Sequence, residues 1–567
     1  MSFTRWLRNL NSAWQLRSRS GNGRGAARSR PAPGYRPRIE SLVDRCLLSV
    51  GFLDPTFNPT GSPPGTVSGR FGGNGAADGV AVYPQAGTAN DGKIVAAGQS
   101  LLARYNGNGS LDTSFNGTGM VVPGAEDYDV AIQSDGKIVT AGLVGGNNGD
   151  FLLARYTTTG ALDNAFGTKG QVSTNFSRSG GSASHDVPWA VAVQTDGKIV
   201  LAGQTNSDIG LARYETNGNL DDGSKKDITS ADSFGSGGLV ITSHTLVAGA
   251  DQAVAQDMVI DSAGRLVVVG YARLTGTTYS YVPFAARYSS DGHLDTSFGT
   301  TGTGLIPLSQ FPSSAAYFIP KAGVALQADG KIVLTWDTEV VRLNADGSSL
   351  DTVSFGPSLN PLDPSSPHTG YATLAAGAGS VQIQSDGKIV VADRPPDNHL
   401  DFGVTRLLGD GSLDTSFGSN GTAQVPTANS AFTRDLAIQP ADGKIVPAGY
   451  GGEATSGFEL ARFLAAAPQI GSFTASPNPV TAGSTVTLTA SNITDADPGA
   501  TVMQVTFSYR DSSGNVVTLG TGTQTSPGVW TYSFTASLSP GLYTVYAQAT
   551  DSDGALGDPI ALTLQVQ

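Results

Sequence analysis

One arginine and one aspartate recur at matched places along this 567-residue chain. The arginines are Arg104, Arg155, Arg213, Arg287, Arg342, Arg406 and Arg462, and the aspartates are Asp54, Asp112, Asp163, Asp221, Asp295, Asp351 and Asp414. A guanidinium beside a carboxylate forms charge-assisted hydrogen bonds of fixed geometry. In "FLLARY", Phe151, Leu153 and Arg155 share one face of an extended segment. A guanidinium among apolar residues is costly unless it is paired. The expected role is structural: each Arg pairs with a nearby repeat Asp and ties adjacent strands or sheets. A ring of arginines holding an anion in a channel is the other reading. Sevenfold repetition favours the first, because a packing rule repeats and a unique site rarely does.

Other chemistry is sparse. The chain has no HExxH, GxSxG or Walker signature. Its five histidines, His185, His244, His293, His368 and His399, are scattered, and its single cysteine, Cys46, excludes an intrachain disulfide. The Asp-Gly turns lack EF-hand spacing and read as turns. No catalytic residue, cofactor site or enzymatic role is expected. Carboxylates gathered from several repeats around a channel would make an enzyme acting on extracellular polysaccharide, the alternative reading. Two acidic loops near the C-terminus, Asn492, Asp495 and Asp497 in "NITDADPG" and Asp551 and Asp553 in "DSDG", offer oxygen ligands for Ca2+; hydrophilic turns are the plainer reading. Variable segments after each hairpin carry Tyr279, Tyr281, His399 and Tyr450, expected as exposed binding-loop residues.

What positions these groups is a repeat. The phrase "SDGKIVTAG", then "LLARY", then "LD..FG", returns seven times, with turn glycines at Gly92, Gly136, Gly197, Gly264, Gly330, Gly387 and Gly443. Asp-Gly supplies the positive φ of a tight hairpin. Each unit reads as four short strands apolar on both faces, which requires burial between two neighbours. The region opens on "LDPTF" before any hairpin and closes on "LARF" with no "LD..F" after it. The piece missing at one end is the piece to spare at the other. The expected fold is all-β, a seven-bladed β-propeller over 51–463 closed by its N-terminal segment.

These units resemble the delta-60 repeats of bacterial proteins, whose marks are "DGKIVxAG", "LARY" and "LDxSFGxxG". The resemblance implies a propeller-like, extracytoplasmic protein and brings no activity with it. "AGRLVVVG", "LTWDTEVVRL" and "VADRPPDNHLDFGVTRLL" depart from the pattern.

Charge divides the chain. Residues 1–50 hold ten Arg and two acids, a net of +8, which leaves −21 for the remainder of a chain at −13. An acidic body disfavours nucleic acid. Residues 36–49, "RPRIESLVDRCLLS", resemble an element near the start of planctomycetal surface proteins, through Arg36, Pro37, Glu40, Leu42, Asp44, Arg45, Cys46, Leu47, Leu48 and Ser49. That resemblance implies export, so 1–50 is expected to be a disordered basic targeting segment and the protein to be extracellular or in the cell envelope. No apolar run is long enough for a transmembrane helix. After a linker at 464–469, residues 470–567 show six strand-like runs separated by turns, the pattern of an Ig-like β-sandwich, and resemble PKD-like and bacterial Ig-like modules through "SPNPVTAGSTVTLTAS" and "GLYTVYAQATDSDGA". The function expected is non-enzymatic: a binding or structural protein whose loops meet an unknown surface ligand, protein or polysaccharide, with the Ig-like domain as spacer or adhesion module.

Overall fold

A computed structural model describes residues 51–567 apart from 70–75, 99–100, 125, 146–148, 178–183, 225–227, 229–231, 277–279, 312–320, 359–365, 376, 395–400, 427–430, 452–456, 465–467, 496–500, 511–515, 553–556 and 558. The expected targeting segment, Cys46 included, lies outside the described residues. Among the described residues the chain is all-β and forms nine four-stranded antiparallel sheets.

Seven sheets come from the repeats. The second is typical: Glu126–Ile132, Ile138–Val144, Asp150–Tyr156 and Gln171–Thr174 pair in sequence order. The first sheet begins at Ala77–Val82, the third at Asp186–Val193, the fourth at Ala250–Ile260, the fifth at Gly323–Leu326 and the sixth at Gly377–Ile383. The seventh holds Phe432–Ile438, Ile445–Gly451 and Gly457–Ala461, and its fourth strand is Thr66–Gly69 from the other end of the region. Thr66 stands opposite Ala461 and Gly69 opposite Phe458, and Leu53 bridges Phe463. All seven hairpin glycines have φ between 69° and 86°, the backbone a residue with a Cβ resists.

Alternation along each strand supplies apolar groups to both faces. Ile94 and Ala96 pack against Val446 and Leu460 of the seventh sheet, whereas Val95 and Ala97 pack against Ile138 and Ala154 of the second. The same division runs from sheet to sheet, giving seven buried clusters, each between successive sheets. The first strands of neighbouring sheets touch in cyclic order, including the first against the seventh.

The repeated charges sit between these sheets. Each repeat Arg is buried, and its Nε lies 2.6 to 3.0 Å from a carboxylate oxygen of the repeat Asp eight or nine residues on; Arg462 meets Asp54 at 2.9 Å from the far end of the region. Its guanidinium also covers the Phe of the same "LD..F" element, centroid distances being 4.2 to 4.9 Å. A further nitrogen crosses to the next sheet's turn: Arg104 donates to the Thr158 carbonyl, Arg155 to Thr216, Arg213 to Ser290, Arg287 to Ala345, Arg342 to Gly409 and Arg462 to Gly107. The lysine of the hairpin joins the carboxylate as well, Lys93 with Asp112 at 2.8 Å and Lys198 with Asp221 at 2.8 Å. In the fourth unit Arg265 takes that place, 3.7 Å from Asp295. The Asp54 carboxyl shows the balance: burial acts to raise its pKa, and Arg462, Lys444 and hydrogen bonds from Thr56 outweigh it, so it sits below the usual range.

The remaining two sheets belong to the C-terminal region. Gln469–Ser476, Thr485–Thr494, Val529–Thr535 and Thr523–Ser526 form one, and Val516–Thr521, Val502–Arg510, Gly541–Asp551 and Ile560–Val566 the other. Val486, Leu488, Val505, Phe507, Val545 and Leu564 are fully buried in one core fed by both sheets.

Two outcomes follow from these ties. Arg155→Ala leaves Asp163 with Lys137 alone as a cation, frees the Thr216 carbonyl and empties the space over Phe166, and breaking a buried pair costs about 3–5 kcal/mol. Its melting temperature should fall clearly by calorimetry, and an unchanged melt would discard the tie. The second outcome concerns pH. Burial pushes the Asp127, Asp393 and Glu459 carboxyls up to about 7. Unfolded, they titrate near about 4, so the native state holds its protons more tightly, and stability drops as pH rises from about 4 through 7. The Arg-paired aspartates are shifted downward, and their contribution is lost only below about 4. Melting temperature should therefore climb from pH 8 to pH 5 and fall again in stronger acid; a flat or opposite trend between 8 and 5 would refute the assignment.

Candidate functional site

The first strands of all seven sheets surround a cavity of about 470 Å3, lined among others by Val80, Asp129, Val191, Asp257, Val324, Ser380 and Asp435. Three of these strands carry Asp at the same place, and each carboxylate bonds to the backbone of the following sheet. Asp129 accepts from Val191 N–H, Asp257 from Val324 N–H and Asp435 from Val80 N–H, each at 2.8 Å. Burial raises the Asp129 carboxyl, with Asp435 adding to it, and raises Asp257 to about 6 against the opposing charge of Lys321. These acids are spent on joining sheets.

A second cavity, of about 270 Å3, opens next to the first and is lined differently. In five first strands the ladder skips one residue, and the skipped residues are Asp78, Tyr128, Trp189, Gln256 and Arg434. A bulge leaves one residue unpaired and re-aims its side chain. All five line this cavity, joined by Lys321 ahead of the fifth sheet and Gly379 at the bulge of the sixth. The repeat makes these places equivalent, yet an acid, two aromatics, an amide and a guanidinium occupy them.

Inside the cavity the Tyr128 and Trp189 rings lie 4.7 Å apart at 40°. Phe432 and Tyr450 pack at 5.0 Å, and the Arg434 guanidinium covers Tyr450 at 5.4 Å. Arg434 also pairs with Asp78 at 3.2 Å, and Lys321 Nζ donates to the Arg434 carbonyl at 3.2 Å. Asp78 is buried, its Oδ2 has no hydrogen-bond partner among the described residues, and neither does the Trp189 Nε1. Burial holds the Asp78 carboxyl up at about 6, although Arg434 and Lys321 pull the other way. The arrangement is an aromatic-walled pocket with convergent donors and one acceptor.

Of the expected loop residues, Tyr450 lines this cavity, but from the strand Ile445–Gly451, where it is half-buried, and not from an exposed loop. Tyr281 is corrected: it is buried on Ser280–Tyr288, edge-on to Tyr271 at 5.4 Å, because the fourth sheet's strands extend through what reads as a loop. Tyr279 and His399 lie outside the described residues. The seven Arg–Asp pairs line neither cavity. Of the calcium candidates, Asp497 and Asp553 lie outside the described residues; Asn492 is exposed, Asp495 half-buried and Asp551 buried opposite Val502. Among the described residues, the one trio of acids close enough to share a cation is Glu215, Asp221 and Asp232, and Lys198 already sits within 2.7 to 3.2 Å of all three. Sequence reading missed the bulge residues because they are the places where the repeat breaks its own pattern. The available signal was the residue two before each "VAV", "VAI", "MVI" or "LAI".

Among solved structures, a protein of unknown function from Dyadobacter fermentans covers 59% of this chain and 93% of its own at 9% identity, with a TM-score of 0.36. The extracellular domains 1–2 of Drosophila Semaphorin 1a cover 69% and 86% at 10% identity, TM-score 0.33. A Hadza microbial sialidase covers 66% and 74% at 10% identity, TM-score 0.35. No curated protein matches. No described helix is long and apolar enough to cross a membrane. Residues 89–115, 133–166, 194–223, 264–298, 327–352 and 384–417 match the family described as "Domain of unknown function (DUF5122) beta-propeller", each match running from a hairpin turn toward its "LD..F" element, so the repeat region is similar to a β-propeller family of unassigned function.

Proposed function

We propose that this chain is an exported, non-enzymatic binding protein: a seven-bladed propeller of delta-60 type, closed by its N-terminal segment, with its ligand at the mouth of the central channel and an Ig-like, PKD-like domain as spacer or adhesion module. The cyclic sheet contacts and the pairing of Thr66–Gly69 with Gly457–Ala461 support the blade count. The strand orders of the two C-terminal sheets support the Ig-like assignment. Export rests on the planctomycetal-type element at 36–49.

One observation carries the binding reading. The repeat Arg and the Asp it binds keep one residue type through every unit, while the bulge positions at the channel mouth hold Asp78, Tyr128, Trp189, Gln256 and Arg434. A function that needs different groups at equivalent places accounts for that contrast. The second reading, a propeller enzyme acting on extracellular polysaccharide, is favoured by Asp78, whose pKa of about 6 suits an acid catalyst. Paired-carboxylate hydrolysis needs a second acid, and Asp129, Asp257 and Asp435 each hold a backbone N–H of the next sheet.

The full chain, incubated with insoluble polysaccharides and cell-envelope material, should be depleted from solution without releasing sugar. Trp189→Ala should abolish depletion while remaining folded at the assay temperature by circular dichroism. Sugar release proportional to protein would replace the binding reading with the enzymatic one.

A further inference from the structure

Resting on that reading, we infer that the cavity at the channel mouth takes a single neutral sugar ring, the terminal residue of a glycan. Its volume of about 270 Å3 is just below the range of about 300–1,000 Å3 that encloses drug-sized ligands. A lone six-membered ring fits such a space; a folded peptide segment or a helix does not.

The walls narrow the class further. Tyr128 with Trp189 on one side and Phe432 with Tyr450 on the other present aromatic surface from three sheets. Within each pair the rings pack on one another, at 4.7 Å and 40° and at 5.0 Å and 49°, so each wall is an uneven aromatic surface with no slot between its own rings for a flat base. A puckered ring with an apolar C–H face suits uneven aromatic walls. Between them stand groups that ask for hydroxyls. Asp78 Oδ2 is a buried acceptor and Trp189 Nε1 a buried donor, both without partners among the described residues. An unmet buried polar atom is costly, and a ligand that meets it gains selectivity over one that does not. Arg434 and Lys321 add donors at the same mouth.

Charge is matched at this mouth. The Arg434 guanidinium is engaged by Asp78 at 3.2 Å and by the Tyr450 face. The Lys321 ammonium lies in the field of Asp78, Asp129 and Asp257, so bases and acids offset one another. A polyhydroxylated ring without charge satisfies the orphan atoms and needs no further counter-charge.

A glycan array probed with the full chain tests this, followed by titration of the best-retained free oligosaccharide while intrinsic tryptophan fluorescence is read. Retention should sort by the terminal neutral sugar. Trp189→Ala and Asp78→Asn should each weaken binding at least tenfold, Trp189→Phe should keep most of it, and circular dichroism should show every variant folded at the assay temperature. A deoxy analogue lacking the hydroxyl met by Asp78 should bind more weakly to the parent and equally to Asp78→Asn. If envelope material still depletes the parent, Trp189→Ala abolishes that depletion, and no array sugar is retained, the sugar class is wrong and the channel-mouth reading stands. If sugars or envelope material bind equally to parent and Trp189→Ala, both fail.

Discussion

The structure depends on a guanidinium that is buried between sheets and fully engaged. A four-stranded sheet with apolar residues on both faces has no stable existence alone; it must be covered twice. Hydrophobic burial covers it, but burial has no direction and would tolerate sheets slid or rotated against one another. The repeat Arg removes that freedom. Arg155 holds Asp163 within its own sheet, lies on Phe166, and reaches the Thr216 carbonyl of the next sheet. Each contact has a fixed length and angle, so the set defines one register between neighbours. Losing any partner would leave a charge in a place that water cannot reach, which is why the unit changes so little from copy to copy.

Closure extends this logic to the chain ends. Arg462 finds its carboxylate in Asp54 and its ring in Phe57, some four hundred residues earlier, and donates to Gly107 of the first sheet. The tie that joins every other pair of sheets therefore also joins the last to the first. The six family matches omit this seventh unit, and the reason is visible: its hairpin and its "LD..F" element lie at opposite ends of the region.

How much was legible beforehand follows from what repeats. The hairpins, the strand faces, the Arg–Asp positions and the shared seventh sheet could all be read, because each is printed several times and errors in one copy are corrected by the others. The hairpin lysine recurs in six of the seven units, with Arg265 in the fourth, yet its role shows only when its carboxylate is located. The channel mouth was hidden for the opposite reason. Asp78, Tyr128, Trp189, Gln256 and Arg434 stand in one column, but a column without a common residue type looks like noise. Only the ladder skips reveal that five of these side chains turn the same way. Tyr281 failed through a length error: the first three strands of the fourth sheet run nine residues or more, so a residue expected in a loop is inside.

A division of labour results. Between sheets, sameness is required, because each interface must accept the next copy. Around the axis sameness can lapse, since each first strand there meets its neighbours and an open space. The bulge is the device that makes this safe. Asp129 keeps its bond to the Val191 N–H while Tyr128, one residue earlier, is released from the ladder into the cavity. The same pairing of a holding residue with a released one recurs as Asp257 with Gln256 and as Asp435 with Arg434. The released position faces the pocket, so a rigid scaffold built from near-identical parts can present a site in which no two parts are alike.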